Sequence, residues 1–96
     1  MYLKIHRSAD GEVVAVCDRE LLNTTVRRGD LEIRISENFY GTRLAEPEEV
    51  ISVLKTAGNA NLMGERTINL AIDMGLLTRA DCIMIGKIPH AQIYRL

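Results

Sequence analysis

Leu3 and Ile5 alternate with Lys4 and His6, which is the two-residue period of a strand with one wet face. Ser8-Ala-Asp-Gly11 follows, and Asp10-Gly11 is a strong hairpin dipeptide. Residues 12–17, Glu-Val-Val-Ala-Val-Cys, are then apolar on both faces, as in a strand covered from both sides. The pattern therefore predicts a β-hairpin over residues 2–17. Asp18 is placed to cap a short helix holding Glu20, Leu21 and Leu22, which the β-branched run Thr24-Thr-Val26 interrupts. After the Gly29-Asp30 turn, Leu31, Ile33 and Ile35 alternate with Glu32, Arg34 and Ser36, so the first three are expected inside. Residues 37–43 read as a loop or a short extra strand, with Phe39 and Tyr40 just before a glycine.

Helical spacing begins at Pro47. Proline suits the first helical position, and Glu48 and Glu49 complement the positive end of the dipole. Val50, Ile51, Leu54 and Ala57 form one stripe, and Gly58 is the expected left-handed stop. A second helix is expected after Asn59-Ala-Asn61, with Ile68, Ala71, Ile72 and Gly75 on one face. Gly75 ends it, and Leu76-Leu77 resembles the apolar clasp that follows such a stop. Thr78 to Asp81 is a polar connection, Cys82 to Ile85 a strand, Gly86-Lys-Ile-Pro89 a turn, and His90 to Arg95 a last strand. The order β-β-(α)-β-α-α-β-β points to an α+β fold. It predicts a small two-layer sandwich with a mostly antiparallel sheet and helices on one face.

Composition narrows this further. A chain of 96 residues, 47% of them hydrophobic, makes one domain over residues 1–96. With 12 Lys and Arg against 13 Asp and Glu, a net charge of −1 argues against holding nucleic acid by bulk charge. No apolar run approaches the roughly 20 residues that span a bilayer, so no membrane is expected. Met1-Tyr-Leu-Lys-Ile-His-Arg shows no secretory core, and a cytoplasmic location is expected. Cys17 and Cys82 sit in apolar runs and read as small core residues in strands, reduced and free of metal. There is no C-x-x-C, and His6 and His90 lie far from both thiols in sequence, so neither a metal nor a cofactor is expected.

Candidate chemistry concentrates in Asn59-Ala-Asn-Leu-Met-Gly-Glu-Arg66. Gly64 is expected within a helix's first turn, where it costs roughly 1 kcal/mol relative to Ala. One reading is a polar or anionic ligand at a helix start, bound by Asn59, Asn61, Gly64, Glu65 and Arg66 with His90 converging on it. The plain reading is that Asn61 caps the helix and Gly64 lets a neighbour pack closely. Arg27, Arg28 and Arg34, with Arg43 and Lys87, form a possible basic patch, and Phe39 and Tyr40 a possible stacking platform beside Arg43. Asp30, Glu32 and Glu37 interleave with these cations. No P-loop, G-x-S-x-G, H-E-x-x-H or G-x-G-x-x-G occurs, and whether the chain is an enzyme stays open.

Asn61-Leu-Met-Gly64-Glu65, Asp73-Met-Gly75-Leu-Leu and Gly86-Lys-Ile-Pro89-His90-Ala-Gln-Ile93 together resemble a small archaeal family catalogued as domain of unknown function 424. The resemblance extends over the whole chain and marks Asn61, Gly64, Pro89 and His90. It implies a cytoplasmic archaeal protein with a link to RNA or translation, and it brings no catalytic residues. Two functions follow as expectations. The first is a non-catalytic binding module for RNA or a ribonucleoprotein partner, with arginines gathered on one sheet face or edge. The second is a small enzyme or sensor of a small anionic ligand, with a pocket where the Asn61 helix start meets His90.

Overall fold

The structure, a computed structural model, describes residues 1–95. Strands β1 (Tyr2–Ser8) and β2 (Gly11–Cys17) form the antiparallel hairpin that the alternation predicts. A turn of 3₁₀ helix, Arg19–Leu21, leads to a second hairpin, β3 (Thr24–Arg28) and β4 (Leu31–Ile35). Then come α1 (Glu37–Tyr40), α2 (Pro47–Thr56), β5 (Asn59–Met63), α3 (Glu65–Asp73), β6 (Ile83–Ile85) and β7 (Ile88–Tyr94). The main sheet has five strands in the order β1-β2-β5-β7-β6. Only β2 and β5 pair in parallel; the other neighbours are antiparallel. The fold is α+β, as the element order predicts.

The sheet is buried on both faces around β2. Val14 and Val16 point to a core shared with Val50 and Leu54 of α2 and Ile68 and Ala71 of α3. Ala15 and Cys17 point the other way, to a second core with Met63, Ile85, Ile35 and Tyr40. The continuous apolar run of β2 thus has a cause on each side. The two longer helices share one face. The short α1 lies on the opposite one, where His6 of β1 donates from Nε2 to the Phe39 carbonyl (2.7 Å) and stacks on the Phe39 ring.

Several expectations change. The short helix expected after Asp18 is the 3₁₀ turn Arg19–Leu21, and Thr24–Arg28, for which no element was expected, is a strand because its β-branched residues pair with β4. Residues 59–63 are a strand rather than the approach to a helix, because pairing with β2 and β7 on its two sides outweighs the poor strand preference of asparagine. Residues 37–40 are a helical turn. Helix α2 does not end on a left-handed Gly58; Ala57 turns extended (φ −68°, ψ 128°) and leads into β5. Gly75 does stop α3 with positive φ, and the bonds Gly75 N–H to the Ile72 carbonyl and Leu76 N–H to the Ala71 carbonyl close a Schellman motif. Of the three residues expected inside β4, Ile35 is buried, Ile33 is half-buried and Leu31 is 52% exposed.

Candidate functional site

Helix α3 starts at a crowded point. Gly64 is its N-cap, with φ 109°, and a Cβ built there would stand 2.3 Å from the Asp18 carboxyl carbon. Asp18 is 3% exposed. Its Oδ1 accepts from Thr67 N–H and Thr67 Oγ1–H (2.8 Å each), and its Oδ2 accepts from Arg66 N–H (3.0 Å). The expected anion at this helix start is therefore the protein's own carboxylate, arriving from the end of β2. Gly64 is small because Asp18 lies against it, and Asn61 caps nothing. Asp18 makes no side-chain bond to the 3₁₀ turn that follows it, so its role as a local cap is replaced by a distant one.

Asn61 and His90 nevertheless meet. Both project from the face of the main sheet opposite α2 and α3, because their chain neighbours Leu62 and Ala91 point into the helix-side core. His90 Nε2 donates to Asn61 Oδ1 at 2.7 Å. One step along, Gln92 Nε2 donates to Asn59 Oδ1 at 3.1 Å. Tyr94, 68% exposed, is next on the same face of β7. Partial burial lowers the His90 pKa below the ordinary imidazole value, so the ring is neutral at pH 7. Gly64 N–H donates to the Pro89 carbonyl (2.9 Å), which places α3's start beside this ladder. Glu65 and Arg66 turn elsewhere, Glu65 to an ion pair with Arg79 and Arg66 to Glu20 at 3.5 Å. Gln92 and Tyr94 were not among the expected site residues. The alternation His90, Gln92, Tyr94 in the last strand was the signal that could have found them.

The basic residues divide. A Cβ on Gly86, in the β6–β7 turn, would lie 2.9 Å from the Arg27 carbonyl, so the β3–β4 tip meets that turn. Arg27, Arg28 and Lys87 thus gather at one end of β7, with Arg34 on β4 of the same hairpin. Arg27 pairs with Glu32 at 3.2 Å. Arg28, Arg34 and Lys87 form no ion pair among the described residues. Arg28 and Leu31 face each other across the hairpin on the side of Val26 and Ile33, yet both are exposed, so the tip overhangs the sheet. Arg43 is elsewhere, held by Glu49 through two bonds (3.0 and 2.6 Å). The stacking platform is corrected too: Tyr40 is buried and Phe39 half-buried against His6.

An open cleft of about 800 Å³ lies at the far end of the ladder and shares Asn59 and Tyr94 with it, alongside Ser52, Thr56 and Arg95. Asp10 and Glu12 stand on its rim. A second groove of about 560 Å³ runs between α2 and α3, lined by Ile51, Leu70 and Met74. Neither encloses Asn61 and His90. Among the described residues no three His, Cys, Asp or Glu side chains group as a metal would need, and no helix is long and apolar enough to cross a membrane. Cys17 is buried and free, its thiol pKa pushed up to about 12 chiefly by burial. Cys82 is free but only partly buried, and it precedes β6 instead of lying in a strand.

No curated protein matches the chain. Among solved structures, an uncharacterized conserved protein from Methanopyrus kandleri is similar over 99% of this chain and 90% of its own, at 29% identity and a TM-score of 0.81. A family described as protein of unknown function (DUF424) matches residues 6–96. The chain belongs to that family.

Proposed function

We propose that this member of the family is a non-catalytic module that binds single-stranded RNA, free or within a ribonucleoprotein, along the open face of β5 and β7. One observation carries the reading. On the face of the main sheet opposite α2 and α3, an uncharged ladder of Asn61–His90 and Asn59–Gln92 is partly exposed between unpaired Arg28 and Lys87 at one end and exposed Tyr94 at the other. Neutral amide and imidazole groups suit base edges, cations suit phosphates, and a tyrosine face suits base stacking. From Ile88 to Tyr94 β7 runs for about 20 Å, at roughly 3.3 Å per residue, which is room for a short strand of nucleotides. The net charge of −1 is compatible with RNA binding if local charge decides, and Arg28 and Lys87 stand without an ion pair, among the described residues, at the end of the ladder.

The test is fluorescence anisotropy with a labelled 12-nucleotide single strand of mixed sequence and its duplex. The single strand is expected to bind at least tenfold more tightly, and Tyr94→Ala to weaken it by about tenfold, as loss of one stacked base does. Absence of single-strand binding, or equal binding of the duplex, would overturn the reading.

A further inference from the structure

Helix α3 carries two charges against its own dipole. Arg66 stands in the first turn, at the partially positive end, and Asp73 is the last residue, at the partially negative end. Both are exposed. Arg66 reaches Glu20 only at 3.5 Å, between two side chains mostly in solvent, and such a pair is worth little. Asp73 has no ion pair among the described residues. Seven residues, close to two turns, separate the two charges, so they share one face of the helix about 10 Å apart along its axis. Asn69 and Leu70 fall between them. All four, with Met74, line the groove of about 560 Å³ that α3 forms with Ile51 of α2. Its apolar side chains, Ile51, Leu70 and Met74, are only partly buried.

We infer that this groove is a two-fold interface with a second copy of the chain, in which two α3 helices pack antiparallel. The charges select that occupant. Reversing the direction of a second α3 sets the partner's Asp73 opposite Arg66 and the partner's Arg66 opposite Asp73, so this helix face is its own complement. The axis passes at the level of Asn69 and Leu70. The partner's Leu70 and Met74 fill the groove, and the same residues of this copy fill the partner's. Helices packed in this way lie about 8–10 Å apart, within reach of an arginine and an aspartate. Each charge also comes beside the end of the other helix that favours it, which its own helix does not provide. Parallel packing would instead set like charges level with one another. The sheet face that carries the Asn61–His90 ladder is opposite α2 and α3, so the dimer leaves both copies of that face open.

Sedimentation equilibrium of the full chain, without RNA, tests the inference. Between about 5 and 500 µM the mass of the wild-type protein is expected to rise from that of one chain toward that of two, as befits an interface at the small end of the specific range. Asp73→Arg and Arg66→Asp each place like charges opposite one another twice across the axis, and each is expected to weaken association by about tenfold or more. Asp73→Arg agrees with the helix dipole, so its effect is not a loss of α3. Combining the two substitutions exchanges the partners and is expected to restore association to the wild-type level. A monomer throughout the range, single variants that associate as the wild type does, or a double variant that stays as weak as the single ones would overturn the inference.

Discussion

Asp18 and Gly64 decide at the level of single residues what the start of α3 can do. Gly64→Ala forces a side chain into a left-handed conformation and against the Asp18 carboxylate, and it is expected to cost about 3 kcal/mol or more in denaturant unfolding. Asp18→Ala leaves the N–H groups of Arg66 and Thr67 and the Thr67 hydroxyl without their acceptor, at about 2–4 kcal/mol. In the double variant the clash is gone, so the losses should sum to less than the two single costs; strict additivity would mean that the two residues do not act on one another. The thiols give a second check. Cys17 keeps its proton in the folded state far above the ordinary value of 9.0, to about 12. Its contribution to stability is therefore complete below pH 9 and is lost as the pH rises toward 12, and melting should fall more steeply there than in Cys17→Ala. A thiol reagent at pH 8 should label Cys82 in the folded protein and Cys17 only after unfolding; rapid labelling of Cys17 would contradict its burial. The importance of Gly64 was legible in the sequence, as was the nearness of His90. The reason for Gly64 was not, because its neighbour Asp18 lies 46 positions earlier, and nothing local distinguishes a carboxylate that caps the next turn from one that caps a distant helix.

Elements with a strong internal period are the ones the sequence declares. The β1–β2 hairpin, α2 with its leading proline, and α3 with its Gly75 stop all emerge from alternation, capping and glycine placement. β3 and β5 do not. Each is five residues long, β3 is exposed at all but one position, and β5 carries two asparagines; both depend on partners far along the chain. Without β5 the asparagines were assigned to a helix start, and the ladder they form with β7 was invisible. β4 shows how alternation identifies a side of a strand without saying how much of that side is covered. Ile35→Ala is expected to cost about 2–4 kcal/mol, whereas Leu31→Ala at the overhanging tip should change stability by less than about 0.5 kcal/mol. Comparable losses in chemical denaturation would mean that the tip is packed and not overhanging. Ile33, half-buried between them, should fall in between.

The whole molecule joins these pieces into a surface with a direction: cations at the hairpin tip, a neutral ladder, a tyrosine, then a cleft rimmed by Asp10 and Glu12 that discourages phosphates. Such a layout implies modest, salt-sensitive affinity. Replacing Arg28 and Lys87 together by Gln should lower the slope of log affinity against log salt by about 1.4, at roughly 0.7 per phosphate contact on a single strand. An unchanged slope would remove these two from the interface. The expectation of a gathered basic patch came from the density of arginines in residues 27–34, with Arg43 beside them; that Arg27 and Arg43 are paired depended on Glu32 and Glu49, whose positions only the fold supplies. The most direct measurement is a nuclear magnetic resonance titration of isotope-labelled protein with a single-stranded RNA, following backbone and side-chain amides together. The expected result is a contiguous set of shifts on β5, β7 and the β3–β4 tip, including the side-chain amides of Asn59, Asn61 and Gln92. Shifts confined to the groove between α2 and α3, or no shifts at all, would contradict it.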